Sequence, residues 1–376
     1  MSIRFRQVAL ACAASLVSNV ALAQDSLSGE DDALVLESSE VLPVDLSEPW
    51  EQVWKLEISR GGSAPLVWAD SLLLVASLDR NIHLVAVTPE PRVRFKENFR
   101  GGFSAAPVVT TRRIYLPELE TGGRLIAMDR ATGKAAWEAD AGDLATSPIL
   151  EEGRIFTVST LGELRAWSEE GLDLWSTDLE TRVTARPALL GDVLVVASTD
   201  GVLHAVNADD GTVVDTSNPD AGPIWGDPVV VQGSGVATAV FATLGGQLLE
   251  IGPDLAVVRQ RSFPSRFYSG PTRAGERLYL AGHEGTIWSY DWMGDAIDWR
   301  LDLEDSTVRM APAVGGDYLA VGELGGTLVV IDRSRGDALW STRLDGALTS
   351  TPLIRGDELY VMTENGSLYA FRPMTP

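Results

Sequence analysis

Cysteine is almost absent from this 376-residue chain, and histidine occurs only three times. The single cysteine, Cys12, lies in an N-terminal segment with two arginines, an apolar stretch and a closing Ala-Leu-Ala, which predicts a secretory signal peptide over residues 1–23. Once that peptide is removed no thiol remains, so disulfides, zinc–thiolate sites and cysteine catalysis are excluded from the mature chain. No later hydrophobic run is long enough to cross a bilayer.

The position of Cys12 leaves one alternative open. The tetrapeptide Ala9–Cys12 resembles a bacterial lipoprotein box, which would attach the chain to a lipid. Cleavage there leaves a hydrophobic stretch too short for a usual signal, so we favour cleavage after Ala23 and keep the lipid anchor as the alternative.

Basic residues are also in short supply, at 30 Lys and Arg against 53 Asp and Glu. Residues 24–48 carry eight acidic side chains and no basic one, with little apolar periodicity, and we predict a disordered leader there. Loss of the signal peptide leaves 28 basic against 53 acidic residues, a formal charge of −25. A field of that sign repels nucleic acids and anionic lipid surfaces, so we expect neither as a partner.

What the chain has instead is a repeated hairpin. Residues 127–137 read AMDRATGKAAW, and looser copies occupy residues 205–214, 289–299 and 330–340. Each copy alternates apolar and polar side chains, turns on Asp and Gly, and continues into a second short strand that often ends in Trp. Because Asp and Gly accept turn dihedrals that β-branched residues refuse, the pattern predicts β-hairpins.

Two further landmarks recur with the same period. A proline returns every 39 to 43 residues, and a glycine that opens a Gly-x-Leu-like strand follows most of these prolines. The prolines are Pro65, Pro107, Pro148, Pro187, Pro228, Pro271, Pro312 and Pro352, and the glycines are Gly123, Gly162, Gly201, Gly246, Gly285, Gly326 and Gly366. Four short strands in each period of roughly 40 residues predict an all-β fold, an eight-bladed β-propeller of four-stranded antiparallel blades over residues 49–376.

The ends of the chain are predicted to close this ring. The last copy, after Pro352, has only three strands, whereas Trp54 lies 11 residues before Pro65 with no blade in front of it. We infer that a strand around Val53–Leu56 completes the final blade, which removes two open sheet edges. The other strand-terminal tryptophans should wedge between blades, and loss of each should cost about 3–5 kcal/mol. They are Trp137, Trp175, Trp299 and Trp340.

Catalytic signatures are missing. The chain has no His-Glu-x-x-His, no Gly-x-Ser-x-Gly and no phosphate loop. His83 and His204 fall on repeat strands where other copies carry unrelated residues, so we predict exposed or edge positions for them. We therefore expect no catalytic residue, no metal site and no cofactor.

The pattern Ala-x-Asp-x-x-Thr-Gly-x-x-x-Trp at residues 127–137 resembles the tryptophan-docking repeat of pyrroloquinoline-quinone-type propellers, and the resemblance covers residues 49–373. Two families carry this repeat. One is the quinoprotein dehydrogenases, and the other is the outer-membrane assembly factor BamB and its relatives, which keep the propeller and lack the cofactor. The dehydrogenases are much longer chains with vicinal cysteines beside the quinone and a bound calcium, so we favour the BamB family.

That resemblance implies a non-catalytic periplasmic scaffold that works as a monomer within a complex. Its implied partners are an outer-membrane barrel assembly protein (BamA-like) and nascent outer-membrane proteins. In BamB-like proteins the loop that enters the fourth blade carries a Leu-x-Leu-Arg run implicated in docking. Here that loop reads Leu-Glu-Thr-Arg, in which Leu179 and Arg182 match and a threonine replaces the second leucine.

Arginines gather in the connections that lead into successive blades, which should all emerge on one face. Those within seven residues of the next proline are Arg60, Arg100, Arg182, Arg186, Arg266 and Arg309. Arginine and aromatic side chains are enriched at binding hot spots, so we predict that this face, with Leu179, docks a partner. The alternative is that these arginines only relieve repulsion in an acidic protein.

Two other functions stay open at this point. One is a quinone-dependent oxidoreductase, which the repeat itself allows. The other is an envelope sensor or ligand-binding propeller, suggested by aromatic residues that we expect to be exposed, namely Trp68, Trp225 and Trp292.

Overall fold

The computed structural model describes residues 50–58, 62, 64–120, 122–232 and 235–374. These residues form 32 strands in eight four-stranded antiparallel sheets, and they contain no helix. No membrane-spanning helix is therefore found in these ranges. The sheets are the blades of an eight-bladed β-propeller, which confirms the predicted fold class. The predicted signal peptide, the predicted acidic leader and Arg60 lie outside the described residues.

The strands are numbered in chain order. The first half of the chain contains β1 Trp50–Glu57, β2 Val67–Ala69, β3 Leu72–Ala76, β4 Asn81–Ala86, β5 Arg92–Asn98, β6 Val108–Val109, β7 Arg113–Pro117, β8 Arg124–Asp129, β9 Ala135–Asp140, β10 Ile149–Glu151, β11 Arg154–Val158, β12 Glu163–Ser168, β13 Asp173–Asp178, β14 Ala188–Leu190, β15 Val193–Ala197, β16 Leu203–Asn207 and β17 Val213–Ser217. The second half contains β18 Val229–Gln232, β19 Ala237–Ala242, β20 Gln247–Ile251, β21 Val257–Ser262, β22 Thr272–Ala274, β23 Arg277–Ala281, β24 Thr286–Asp291, β25 Ala296–Asp302, β26 Ala313–Gly315, β27 Tyr318–Gly322, β28 Thr327–Asp332, β29 Ala338–Arg343, β30 Leu353–Arg355, β31 Glu358–Met362 and β32 Ser367–Pro373.

Within a blade the chain runs from the innermost strand outward, as in the order β10-β11-β12-β13 of blade 3. The second and third strands are covered on both faces by the neighbouring blades. For this reason β15 reads as an unbroken apolar run, VLVVA, whose last four residues are buried. The outermost strands alternate instead, and β13 (DLWSTD) turns Trp175 and Thr177 towards the next blade and leaves Leu174 and Ser176 exposed to water.

The glycine landmark has a steric cause. Gly162 and Gly201, in the turns between the second and third strands, have φ angles of 88° and 90°. A Cβ on Gly162 would lie 2.4 Å from the Thr181 carbonyl oxygen, and one on Gly201 would lie 2.6 Å from that of Gly222. Only glycine lets the connection that leaves the same blade approach these turns so closely.

The ring closes as predicted. Strand β1 is the outermost strand of blade 8 and pairs antiparallel with β32, with Trp54 opposite Ala370. Trp50 is only 4% exposed and stacks on Trp340 of blade 7 at 6.5 Å between ring centroids. Lys55 forms an ion pair with Asp345 at 2.9 Å, which joins β1 to the connection that leads into blade 8.

The connections from each outermost strand to the next innermost strand share one face with the turns between second and third strands. Backbone hydrogen bonds link the two sets, as where the Thr199 amide donates to the Arg182 carbonyl at 2.8 Å and the His283 amide donates to the Arg266 carbonyl at 2.9 Å. We call this surface the connection face, formed by residues 99–107, 141–147, 179–187, 218–228, 263–271, 303–312 and 344–352 together with those turns.

Candidate functional site

The connection face carries most of the predicted docking residues, but in different environments. Arg100, Arg182, Arg266 and Arg309 are exposed, whereas Arg186 is partly buried. Leu179 is only 8% exposed and packs in the apolar core between blades 3 and 4. The Leu179 side chain therefore anchors the connection between β13 and β14 to the core and does not contribute to the exposed surface of the connection face.

Arg182 lies in the connection between β13 and β14. Glu180, just before it, has a φ of 52°, and its amide donates a hydrogen bond to the Asp178 carboxylate at 2.9 Å, which turns the chain. The Thr199 amide fixes the backbone of Arg182 itself. The guanidinium forms no ion pair with any described residue. A free cation is thus held on a fixed backbone.

Arg266 differs because its charge is neutralised. Its guanidinium pairs with Glu284 at 2.9 Å, and the Ser265 hydroxyl donates to the same carboxylate at 2.6 Å. Burial raises the pKa of Glu284, but the hydrogen bonds from Ser265 and Arg266 outweigh it and bring this pKa to about 2. Glu284 is therefore ionised at neutral pH, and Arg266 has less charge to offer a partner than Arg182.

Aromatic side chains form a chain of contacts across blades 5 to 7. Trp225 meets Tyr268 edge to face at 5.5 Å, and Tyr268 packs on the His283 ring at 4.5 Å. The guanidinium of Arg309 lies over the Tyr268 ring, 4.9 Å from its centroid. Trp225 and Tyr268 lie in the predicted connections and His283 lies in the turn that contains Gly285, but the contact between Tyr268 and His283 was not predicted from the sequence.

Several expectations about exposure were wrong, and Trp68 and Trp225 are only partly exposed. Trp292 is 5% exposed and packs in the core between blades 5 and 6, so it is not a surface aromatic residue. His83 is 2% exposed because the third strand of a blade is covered on both faces, and burial lowers the pKa of its imidazole.

No group of three or more His, Cys, Asp or Glu side chains in the described ranges is arranged to hold a metal ion.

The family model described as "Outer membrane protein assembly factor BamB" matches residues 44–149, 121–292 and 283–375. The BamB of Shewanella oneidensis is 26% identical over 302 residues, which cover 74% of this chain and 75% of that relative. The BamB of Legionella pneumophila is 24% identical over 208 residues, and the match spans about half of that relative, 52% of its length.

Solved structures show the same fold. The crystal structure of BamB from Moraxella catarrhalis superposes with a TM-score of 0.69 at 18% identity, over 86% of this chain and 100% of that one. A europium-containing methanol dehydrogenase superposes with a TM-score of 0.70 at 11% identity, over 86% of this chain and 93% of that one. These likenesses show the fold alone. The family model, which matches nearly the whole propeller, shows more: this chain belongs to the family of the outer membrane protein assembly factor BamB.

Proposed function

We propose that this chain is a non-catalytic periplasmic scaffold of the outer-membrane β-barrel assembly machinery, and that its connection face docks a barrel assembly protein of the BamA type. The observation that carries the proposal is Arg182. It is exposed, without an ion pair among the described residues, and placed on a loop whose backbone is fixed by Thr199.

The chemistry of Arg182 fits an acidic partner surface. A guanidinium forks onto a carboxylate through two parallel hydrogen bonds, which gives orientation as well as energy. In a mature chain with a formal charge of −25, the surrounding field repels most acidic proteins. A local cation therefore decides where an acidic partner approaches, and the effect is largest on association rate and register.

Replacing Arg182 with glutamate is expected to lower capture of the barrel assembly protein from solubilised envelopes by about tenfold or more, since a close charge pair becomes a repulsion. The measurement is a quantitative pull-down with the purified full chain as bait. Arg112→Glu is the matched control, because Arg112 is exposed in the turn between β6 and β7 on the opposite face and the charge change is the same. Equal capture by Arg182→Glu and by the parent would remove Arg182 from the docking site.

Nascent outer-membrane proteins are the second proposed partner, and the outermost strands suit them. A nascent strand can add to a free edge through backbone hydrogen bonds, which gives affinity without sequence preference. On β17 the Thr216 amide donates to the Asp215 carboxylate at 2.8 Å, so this donor faces the free edge. Val213 and Val214 beside it are 42% and 62% exposed, which offers apolar contact to an added strand.

Thr216→Pro is expected to weaken binding of an unfolded outer-membrane protein, because it removes an edge donor without removing a bond to β16. Thr216→Val keeps the amide and is the control. Binding can be followed by the fluorescence of a labelled, urea-diluted barrel protein. If the proline and valine variants bind equally, strand addition at β17 is wrong.

A further inference from the structure

The residue directly before each inner-strand proline defines a ring around the central channel. Six of these eight positions hold small residues, and only two adjacent blades depart from this pattern. The six are Ala64, Ala106, Ser147, Gly270, Ala311 and Thr351, and the two exceptions are Arg186 and Asp227. A charged pair at one point of an otherwise small-residue ring calls for a separate explanation of each member.

Asp227 has a structural explanation. Its carboxylate accepts a hydrogen bond from the Arg186 amide at 2.7 Å, just as the Ser147 hydroxyl accepts one from the Ala106 amide at 3.0 Å in blades 2 and 3. Asp227 thus makes the same hydrogen bond to the preceding blade that Ser147 makes, and this bond fixes the backbone of Arg186. No other position of this ring carries a basic side chain that would explain the guanidinium of Arg186 in the same way.

Arg186 borders a cavity of about 540 Å³ at the connection-face end of the channel, which we call the channel cavity. Arg273, Arg309, Tyr268, Ser104 and Ser269 also line it. Its three arginines face one carboxylate, that of Asp227, and none of the three forms an ion pair with a described residue. Arginines therefore outnumber carboxylates in the lining of the channel cavity, although Arg186 also borders an adjoining cavity that is lined by Glu151, Glu152, Asp192 and Asp209.

The hydrogen-bond donors that line the channel cavity are held in place by their neighbours, and some of them have no acceptor in the described part of the chain. The Arg273 guanidinium is fixed by hydrogen bonds to the carbonyls of Val230 at 3.0 Å and Gly275 at 2.9 Å. The Arg309 guanidinium rests on the Tyr268 ring. The Arg186 Nε and the hydroxyls of Ser104 and Ser269 are buried and have no hydrogen-bond partner among the described residues. Buried polar groups ordinarily find a partner, and an oxyanion beside Arg186 would supply acceptors to its guanidinium.

We propose that the channel cavity binds a small organic anion whose carboxylate or phosphate oxygens sit against Arg186, with Arg309 and Tyr268 holding its body. The volume lies in the range of small-molecule sites, and convergent donors in a concave site are the usual basis of such recognition. This site lies at the channel and does not depend on the docking of a protein partner.

The experiment is isothermal titration calorimetry of the full chain with citrate and with inorganic phosphate, at constant ionic strength set by chloride. We expect one site per chain for at least one of the two probes, and the preferred probe identifies the oxyanion as carboxylate or phosphate. Arg186→Ala and Arg309→Ala should each weaken binding about tenfold or more. Arg112→Ala, on the opposite face, should bind as the parent does.

Arg309→Ala keeps the test decisive if Arg186→Ala does not fold, because Arg309 is exposed and its guanidinium contacts only the face of the Tyr268 ring among the described aromatic residues. The melting temperature of each variant is measured alongside. Absence of binding for both probes, or affinities of the two variants equal to that of the parent, would overturn the proposal.

Discussion

Deletion of residues 49–58 is expected to destabilise the whole ring, and not only its last blade. Strand β1 pairs with β32 from Trp50 opposite Pro373 to Glu57 opposite Ser367. The deletion also removes Trp50 and Trp54, whose packing against blades 7, 8 and 1 is worth about 3 kcal/mol or more each. A loss of about 6 kcal/mol is comparable with the total stability of many proteins.

Thermal unfolding followed by circular dichroism measures this effect. The melting temperature should fall by at least about 10 °C. Deletion of residues 24–48, which leaves β1 in place, is the matched control and should melt like the parent. If the chain without residues 49–58 melts at the parent temperature, ring closure by β1 contributes nothing to stability.

The ion pair that accompanies the closure has a much smaller expected effect. Lys55 and Asp345 have side chains 36% and 34% exposed, so water and salt screen their attraction. Strand pairing and tryptophan burial therefore dominate the closure.

Trp175→Ala is expected to lower the free energy of unfolding by about 3–5 kcal/mol. Trp175, on the outermost strand of blade 3, packs with Phe156 and with residues of blade 4, and its indole donates to the Ala208 carbonyl at 3.1 Å. A Cβ on Gly211 would lie 2.5 Å from the Trp175 ring, so the turn of blade 4 is shaped around this side chain. Truncation leaves a cavity between two blades that neither blade can fill alone.

Urea unfolding of the parent, Trp175→Ala and Trp175→Phe separates the contribution of ring packing from that of the indole hydrogen bond. Trp175→Phe keeps most of the packing and loses the indole donor, so its loss should be only about 1–2 kcal/mol. The parent provides the reference. A loss of less than about 1 kcal/mol for the alanine variant would show that the blade interface does not depend on the wedge.

The same arrangement recurs at other blade interfaces, but not at all of them. Trp137 donates to the Glu169 carbonyl at 2.8 Å and Trp299 to the Arg333 carbonyl at 3.0 Å. In blade 5 the equivalent position is Arg259, opposite Glu250, and its guanidinium lies over Trp292 of blade 6 at 5.8 Å. At the interface between blades 5 and 6 the aromatic ring is therefore supplied by blade 6 and not by blade 5, and the interface is still filled.

Much of the fold could be predicted because each repeat encodes its own strands and turns. The blade number, the antiparallel order and the closure by β1 follow from a period that the chain states eight times. The interface between blades 1 and 2 carried no tryptophan signal, yet Phe95 fills it, and a Cβ on Gly133 would lie 2.5 Å from the Phe95 ring. Periodicity fixes a position and its burial, whereas the residue that occupies it can vary.

The candidate site was predictable only in part. The sequence placed the arginines on one face, because every connection between blades emerges at the same end of the ring. It could not show that Leu179 is buried, because its burial depends on residues of the next blade. It also could not show that Arg266 is neutralised, since Glu284 is 18 residues further along the chain.

The sequence by itself therefore determined the propeller, its eight blades and the strand that joins its ends, since these depend on local hairpin chemistry repeated at a constant period. Only the tertiary structure decided which charges are free. Arg182 is exposed without an ion pair, Arg266 is paired, and Arg186 faces the channel cavity. The physical reason is that charge pairing and burial depend on distances between different blades, and the period of a repeat does not specify those distances for individual side chains.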